Sequence, residues 1–443
     1  MEMQDGKHQH LRFDEDFEDL PNTLTSETLP AAAMVTPPQY LPAGHSFQCV
    51  ASLRTDLDKN DQCYVLDLVH CPATGMVAAP LSNRLVKLYN ESGVEFTGDL
   101  RGHSQRITAA RFDLPEEPHL LHTSSSDGTV AGWDTRSGQQ VERFQASGRE
   151  LFCASTTGTL VAAGGGDSIL FWDRRKAQPL TSFGDTHAQD VTQVAFHPLH
   201  RHMLVSGSED GLVAVFDTAQ GLDEDEGFKA ALNIDNSVAR LGFYGPQASK
   251  LWVTSGTETF HLWEWAAACN DEAEGGNGAL ADVGNAREQL TQAASLGGAV
   301  GAALAPSVDY LIGCEYAPAA DQLWLAAGNN TGVVGLFPVA EPPPALGRSE
   351  DAAPAPLGSV FAPPQAALAR GHDEVVRAIV WPGGTGSVCL SGGEDSRLCM
   401  WRLLGPGQHA AAAAAQQRSG SMGSSDSVAR RQGQLHSRRK SPY

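Results

Sequence analysis

One short segment recurs three times in this chain and constrains its fold more than any other feature: LHTSSSDGTVAGWD from Leu121, LVSGSEDGLVAVFD from Leu204 and CLSGGEDSRLCMWR from Cys389. Each copy is an alternating apolar run, a tight turn carrying an acid, a second alternating run and an aromatic. Alternation with a period of two is the mark of half-buried β-strands. The turn acid precedes the aromatic by six residues in all three copies, Asp127 to Trp133, Asp210 to Phe216 and Asp395 to Trp401. The same register finds weaker copies at Asn83 to Tyr89, Thr257 to Trp263 and Thr331 to Phe337, while Asp167 to Trp172 is one residue shorter. Seven aromatics thus mark seven equivalent third strands in an array of one repeated unit.

A second signal precedes several copies, where a Gly-His or a lone His opens a fresh strand: Gly102-His103 before Ile107, His187 before Val191 and Gly371-His372 before Val376. The stretch from Phe47 to Leu404 exceeds the roughly 300 residues that seven units of about 40–45 need. The surplus fits three insertions of loop composition, at about 222–231, 269–292 and 341–365. An open array of blades would expose unpaired strand edges. The last repeat ends at Trp401 without a fourth strand, and FQCVASL (Phe47 to Leu53) reads as a strand that supplies it. The expected organisation is a disordered acidic and Pro-rich leader over 1–44, an all-β, seven-bladed β-propeller over 45–405, and a low-complexity tail with a basic end over 406–443.

The chain of 443 residues carries a formal net charge of -21, which disfavours direct binding to nucleic acid or an anionic membrane. It has no apolar run of about 18 residues, so no membrane span is expected. Its start, MEMQDGKHQHLRFDEDFEDL, is acidic where a signal peptide needs a basic and then an apolar segment. Nucleus, cytoplasm or both are the expected locations. Eight scattered cysteines lack a C-x-x-C pair or zinc spacing and read as reduced. No Gly-x-Ser-x-Gly elbow, phosphate-cradling loop or His-Glu-x-x-His pair occurs, and Gly164-Gly165-Gly166 reads as turn chemistry. No catalytic residue, cofactor or metal is predicted.

These units resemble the WD-repeat family, with its Gly-His at the start and Trp-Asp at the end of a unit; Trp133-Asp134 and Trp172-Asp173 are literal, and Phe216-Asp217 is a variant. The resemblance implies a hydrogen-bonded chain inside each blade: His103, Thr123, Asp127 and Trp133; His187, Ser206 and Asp210, with Phe216 unable to donate; and His372, Ser391, Asp395 and Trp401. The rival reading of Ser, His and Asp as a hydrolase triad fails on repetition, because the set recurs once per unit whereas an active site is built once. DVTQVAFHP from Asp190, VSGSEDGLVAVFD with its DEDE from Asp223, VDYLIGCEY from Val308, and the last repeat with its basic tail are similar to the WD repeat-containing protein 89 family. The low-complexity insertions and long acidic leader depart from that family's compact form. The resemblance implies a monomeric, non-enzymatic platform for peptide segments of other proteins.

Three features are candidate partner contacts. Trp133-Asp134-Thr135-Arg136 and Trp172-Asp173-Arg174-Arg175 resemble the units by which WD-repeat substrate receptors dock on the propeller adaptor of cullin-RING ubiquitin ligases; otherwise Arg136 and Arg175 form surface salt bridges to Asp134 and Asp173. The run Asp223, Glu224, Asp225 and Glu226 is either a recruiting site for a basic segment or a solvated loop, as is the leader with Phe13, Phe17 and Leu20 among its acids. Arg430-Arg431 and Arg438-Arg439-Lys440 resemble a split nuclear-import signal, or are solvated charge.

Overall fold

The computed structural model describes residues 46–55, 63–219, 221–269, 278–340, 360–381 and 387–405. The leader, the tail and the stretches 270–277 and 341–359 of the expected insertions lie outside them. Twenty-eight strands form seven four-stranded antiparallel sheets. Blade 1 runs from Val69 to Leu100, blade 2 from Ile107 to Gln145, blade 3 from Cys153 to Phe183 and blade 4 from Val191 to Asn233. Blade 5 spans Val238 to Val283 and blade 6 Tyr310 to Leu368. Blade 7 takes its inner three strands from Val376 to Leu404 and its outer one, Ser46–Arg54, from the other end of the described chain. The seven expected aromatics, Tyr89, Trp133, Trp172, Phe216, Trp263, Phe337 and Trp401, all lie on third strands.

The propeller follows from how these strands bury themselves. Seven hydrophobic clusters exist, each shared by two neighbouring blades. A single blade therefore has no complete core, and closing the ring is what buries the seventh interface. The third-strand ring is bulky, and in six blades a β-bulge lies on the outer strand opposite it, between Gly132 and Trp133 for example and between Phe171 and Trp172. The extra residue increases the local twist that fans each blade outward. The Gly of each Gly-His pair is a packing requirement: a Cβ on Gly102 would stand 2.8 Å from the Trp133 ring, and one on Gly371 2.5 Å from Trp401.

The ring closes where the seam strand pairs with the last one, from Ser46 opposite Leu404 to Arg54 opposite Arg397. Thr55 extends the seam by donating its N–H to the Ser396 carbonyl at 2.8 Å.

Three expectations need correction. The stretch 222–231 is not all loop, since Glu224–Gly227 forms one helical turn and Phe228 starts the outer strand of blade 4. The stretch 269–292 contains the outer strand of blade 5, Ala279–Val283, and the start of a helix, Ala286–Leu296. Its Leu290, Ala293 and Ala294 are buried between blades 5 and 6, where Val360 and Phe361, assigned to the third insertion, are buried as well. Finally, Gly164 and Gly165 belong to a strand rather than a turn; a Cβ on Gly164 would lie 2.4 Å from the Val191 carbonyl of the next blade.

Candidate protein-binding site

Antiparallel order places the second-to-third turn of every blade, and the connection to the next blade, on one face. First-to-second and third-to-fourth turns fall on the opposite face. His103, His187 and His372 stand in the inter-blade connections and Asp127, Asp210 and Asp395 in second-to-third turns, so each pair meets at one rim.

In blade 2 the His103 ring lies between Asp127 Oδ2 (3.1 Å from Nδ1) and Thr123 Oγ1 (2.7 Å from Nε2), and the Trp133 indole donates to the same Thr123 oxygen at 2.8 Å. Blade 7 repeats this with His372, Asp395 (3.0 Å), Ser391 (2.7 Å) and Trp401 (2.7 Å). Blade 4 has His187, Asp210 (3.2 Å) and Ser206 (2.7 Å), and ends there because Phe216 has no donor. Each Asp also accepts backbone N–H groups, from Ser104, Ala188 and Asp373 respectively.

Burial pushes His103 and His187 below the ordinary histidine range, against the pull of Asp127 and Asp210. A neutral ring that donates from Nδ1 and accepts at Nε2 satisfies every partner. Burial alone would raise Asp127, but hydrogen bonds from Thr129 and Ser104 and the adjacent His103 outweigh it and hold its carboxyl below the usual range. These side chains are engaged in holding turn to connection inside each blade.

The face that carries these turns has a concavity at blades 5 and 6. The connection from blade 5 to blade 6 holds the helix Ala286–Leu296, capped by the Asn285 side chain, which accepts the Glu288 N–H. Between this helix and the blade 6 turn lies a groove of about 680 Å³ lined by Asn285, Arg287, Glu288, Gln292, Asp309 and Asn330. Its walls are fixed: Thr291 accepts the Val308 N–H at 3.0 Å, and Asp309 accepts the Asn330 N–H at 2.9 Å. The reading of 269–292 as loop missed this element, although Asn285 and Glu288 at cap spacing were its signal.

Inner strands converge on the axis. Arg240 of blade 5 reaches across to Asp67 of blade 1 (3.4 Å) and to the Arg377 carbonyl of blade 7 (3.4 Å). Nearby on blade 6, burial and the charge of Asp67 push Glu315 up to about 8.

On the opposite face, Arg136 and Arg175 fold back onto the acids of their own units. Arg136 Nη2 lies 2.7 Å from Asp134 and Arg175 Nη2 3.1 Å from Asp173, with both arginine side chains more than half exposed. Arg174, to which the sequence assigns no role of its own, is instead half-buried and joins three elements: it contacts Glu117 at 2.6 Å and Glu142 at 2.7 Å, and Glu142 in turn meets His122. Arg201 of blade 4 pairs with Glu116 of blade 2 at 2.7 Å, so the ionic lattice spans three blades.

The acidic run divides. Glu224 is a structural clamp rather than an open partner contact: its carboxylate accepts the N–H groups of Gly184, Asp185 and Thr186 and the Thr186 hydroxyl, at 2.6–3.0 Å. Asp223 caps the Glu226 N–H at 3.1 Å. Asp225 and Glu226 are exposed. Among the described residues, no group of three His, Cys, Asp or Glu is placed to hold a metal ion, and no helix is long and apolar enough to cross a membrane.

Seven four-stranded blades, Gly-His connections and third-strand Trp-Asp define a WD-repeat β-propeller. The family model described as WD domain, G-beta repeat matches residues 177–217. That span starts on the outer strand of blade 3 and ends on the third strand of blade 4, so the sequence repeat is offset from the blade by one strand. WD repeat-containing protein GTS1 of Arabidopsis thaliana is 32% identical over 351 residues, covering 76% of this chain and 81% of its own length. The WD repeat-containing protein 89 homolog of Dictyostelium discoideum is 29% identical over 342 residues, covering 77% and 83%. The chain belongs to the WD-repeat family of β-propellers. A ribosome biogenesis protein WDR12 homolog of Oryza sativa subsp. japonica is 28% identical over a shorter span, 42% of this chain and 50% of the relative.

Proposed function

We propose that this protein is a non-enzymatic scaffold that holds peptide segments of other proteins in a nuclear or cytosolic complex, and that the groove beside the helix Ala286–Leu296 is its peptide site. The groove carries this reading. Its walls alternate amide side chains, Asn285, Gln292 and Asn330, with charges of both signs, Arg287, Glu288 and Asp309. Amides pair with the backbone of an extended peptide, and mixed charges select its side chains. The spending of the repeated His, Ser and Asp side chains inside the blades supports the same view.

The test is proximity labelling from the tagged full chain in its own cells, comparing wild type with an Arg287→Glu, Asn330→Arg double variant. Partners lost from the variant, with blade thermal stability unchanged, are the expected outcome. An identical partner set would sink the groove as the site, and imaging of the same tag tests the location.

A second reading, a substrate receptor of a cullin-RING ubiquitin ligase, is favoured by one observation: although Arg136 and Arg175 pair with the acids of their own units, both stay more than half exposed at equivalent turns of consecutive blades. Under this reading an Arg136→Glu, Arg175→Glu variant loses co-purification of the propeller adaptor, while undiminished recovery of the adaptor contradicts it.

A further inference from the structure

The seam that closes the ring brings together two thiols from opposite ends of the described chain. Cys49 lies on the seam strand and Cys399 on the last strand. Cys49 is opposite Trp401, and Cys399 is opposite Ser52, so the two are diagonal neighbours across an antiparallel pair. A bulge at Val50 inserts an extra residue beside Cys49, and diagonal side chains on one face are within reach of each other. Each thiol shifts the acidity of the other, Cys399 lowering Cys49 and Cys49 raising Cys399. Their other contacts hold them in place: the Cys49 sulfur lies 3.3 Å from the Ala51 carbonyl, and the Cys399 sulfur 3.5 Å from the Ser52 hydroxyl and 3.4 Å from the Gly371 carbonyl. Cys49 is half-buried on the outermost strand of blade 7, whereas Cys399 is buried behind it.

We propose that Cys49 and Cys399 are a redox modification site, a dithiol that peroxide converts into a disulfide joining the first and last strands of the propeller. The partly exposed thiol reacts first. The Cys49 thiolate attacks the peroxide oxygen, forming a sulfenic acid and releasing water once the leaving hydroxide takes up a proton. The Cys399 sulfur then attacks the Cys49 sulfur, forms the S–S bond and expels a second water. Two thiols lose two electrons and two protons to one hydrogen peroxide, which is reduced to two waters. The environment agrees with these roles: Cys399 and the nearby Arg397 lower Cys49, despite burial, and Cys49 together with burial raises Cys399. A lowered thiol is the better attacking group and the more easily oxidised.

A disulfide here would turn a hydrogen-bonded seam into a covalent one. Nearly the whole propeller lies between the two cysteines, so the cross-link removes much of the freedom of the unfolded chain. Cys389 is the internal control. It is buried and also near Trp401, but it lies on the far side of the last strand from Cys49, with Trp401 between them in the register.

The experiment treats the reduced full chain with graded hydrogen peroxide, blocks remaining thiols with an alkylating agent, and maps peptides by mass spectrometry without reduction. The expected result is a Cys49–Cys399 cross-linked peptide, 2 Da lighter than the pair of free peptides and reversed by dithiothreitol. It should persist in Cys389→Ser and vanish in Cys49→Ser. The oxidised wild type should also melt at least about 5 °C higher than the reduced form. Sulfinic acid at Cys49 without a cross-link, a cross-link to Cys389 instead, or an unchanged melting point would each overturn the proposal. The wild-type peptide map stands even if a variant fails to fold.

Discussion

Blades 2, 4 and 7 differ from blades 1, 3, 5 and 6 in a buried chain centred on one position of the second strand. Two residues along the second strand from the partner of each third-strand aromatic stand Thr123, Ser206 and Ser391 in the first group and Ala79, Ala163, Val253 and Ala327 in the second. A hydroxyl there is accompanied by the connection histidine and the turn aspartate; where it is aliphatic, no such histidine is bonded to it. The polar set is thus kept whole or dispensed with, because a partial set would strand a buried donor or acceptor at a cost of about 1–3 kcal/mol. No two blades with this chain adjoin, so each is flanked by blades that lack the second-strand hydroxyl. The exceptions are instructive: Trp172 and Trp263 keep indole N–H groups that are buried without a partner, each beside an aliphatic residue where the other group has a hydroxyl.

The strongest way to break this comparison is His372→Ala. It leaves the Asp395 carboxylate and the Ser391 hydroxyl buried without their partner, in the blade that closes the ring, and should cost about 3 kcal/mol in urea unfolding. A loss below about 1 kcal/mol would mean that the polar blades do not depend on their chains. Glu224→Ala probes whether a polar blade also relies on its clamp to the preceding connection; losing four accepted hydrogen bonds should cost about 1–2 kcal/mol, read from the same transition.

A pH series addresses an aliphatic blade. Glu315 of blade 6 is pushed up to about 8 by burial and by Asp67. A group raised on folding contributes stability that is full below its unfolded value of about 4.3 and is lost as pH rises through the folded one. Glu315→Gln should therefore raise the urea midpoint relative to wild type at pH 8, with the advantage shrinking toward pH 4.5. An advantage that does not vary with pH would show that the carboxyl is ionised in the fold.

The smallest effect sharpens the contrast most directly. Ala163→Ser offers Trp172 the hydroxyl that Trp133 and Trp401 have, and should stabilise the protein by about 0.5–1 kcal/mol. A loss would show that blade 3 has no room for the oxygen.

The ring of aromatics, the seam strand and the members of the three polar sets could all be read from the sequence, because each rests on a local period or a fixed spacing that repetition amplifies. What could not be read depends on which distant residues meet. Glu224 looked like a solvated acid because nothing near it in sequence reveals that the amides of 184–186 surround it. Arg174 looked like the spare half of a dipeptide, while its partners Glu117 and Glu142 belong to another blade. The helix Ala286–Leu296 was hidden by its small residues: Ala293 and Ala294 fill an interface too tight for larger side chains, and their composition resembles that of a linker. The groove was missed with it.

The one-strand offset between repeat and blade has a consequence for biosynthesis. Ser46–Arg54 leaves the ribosome before every other described strand, yet its strand partner among the described residues, Arg397–Leu404, is made last. At about 5–20 residues per second, the nascent chain carries an unpaired strand for roughly 20–70 s while blades 1 to 6 can already assemble behind it. For that interval the earliest of the described strands to emerge is also the one whose edge stays open to mispairing with another chain.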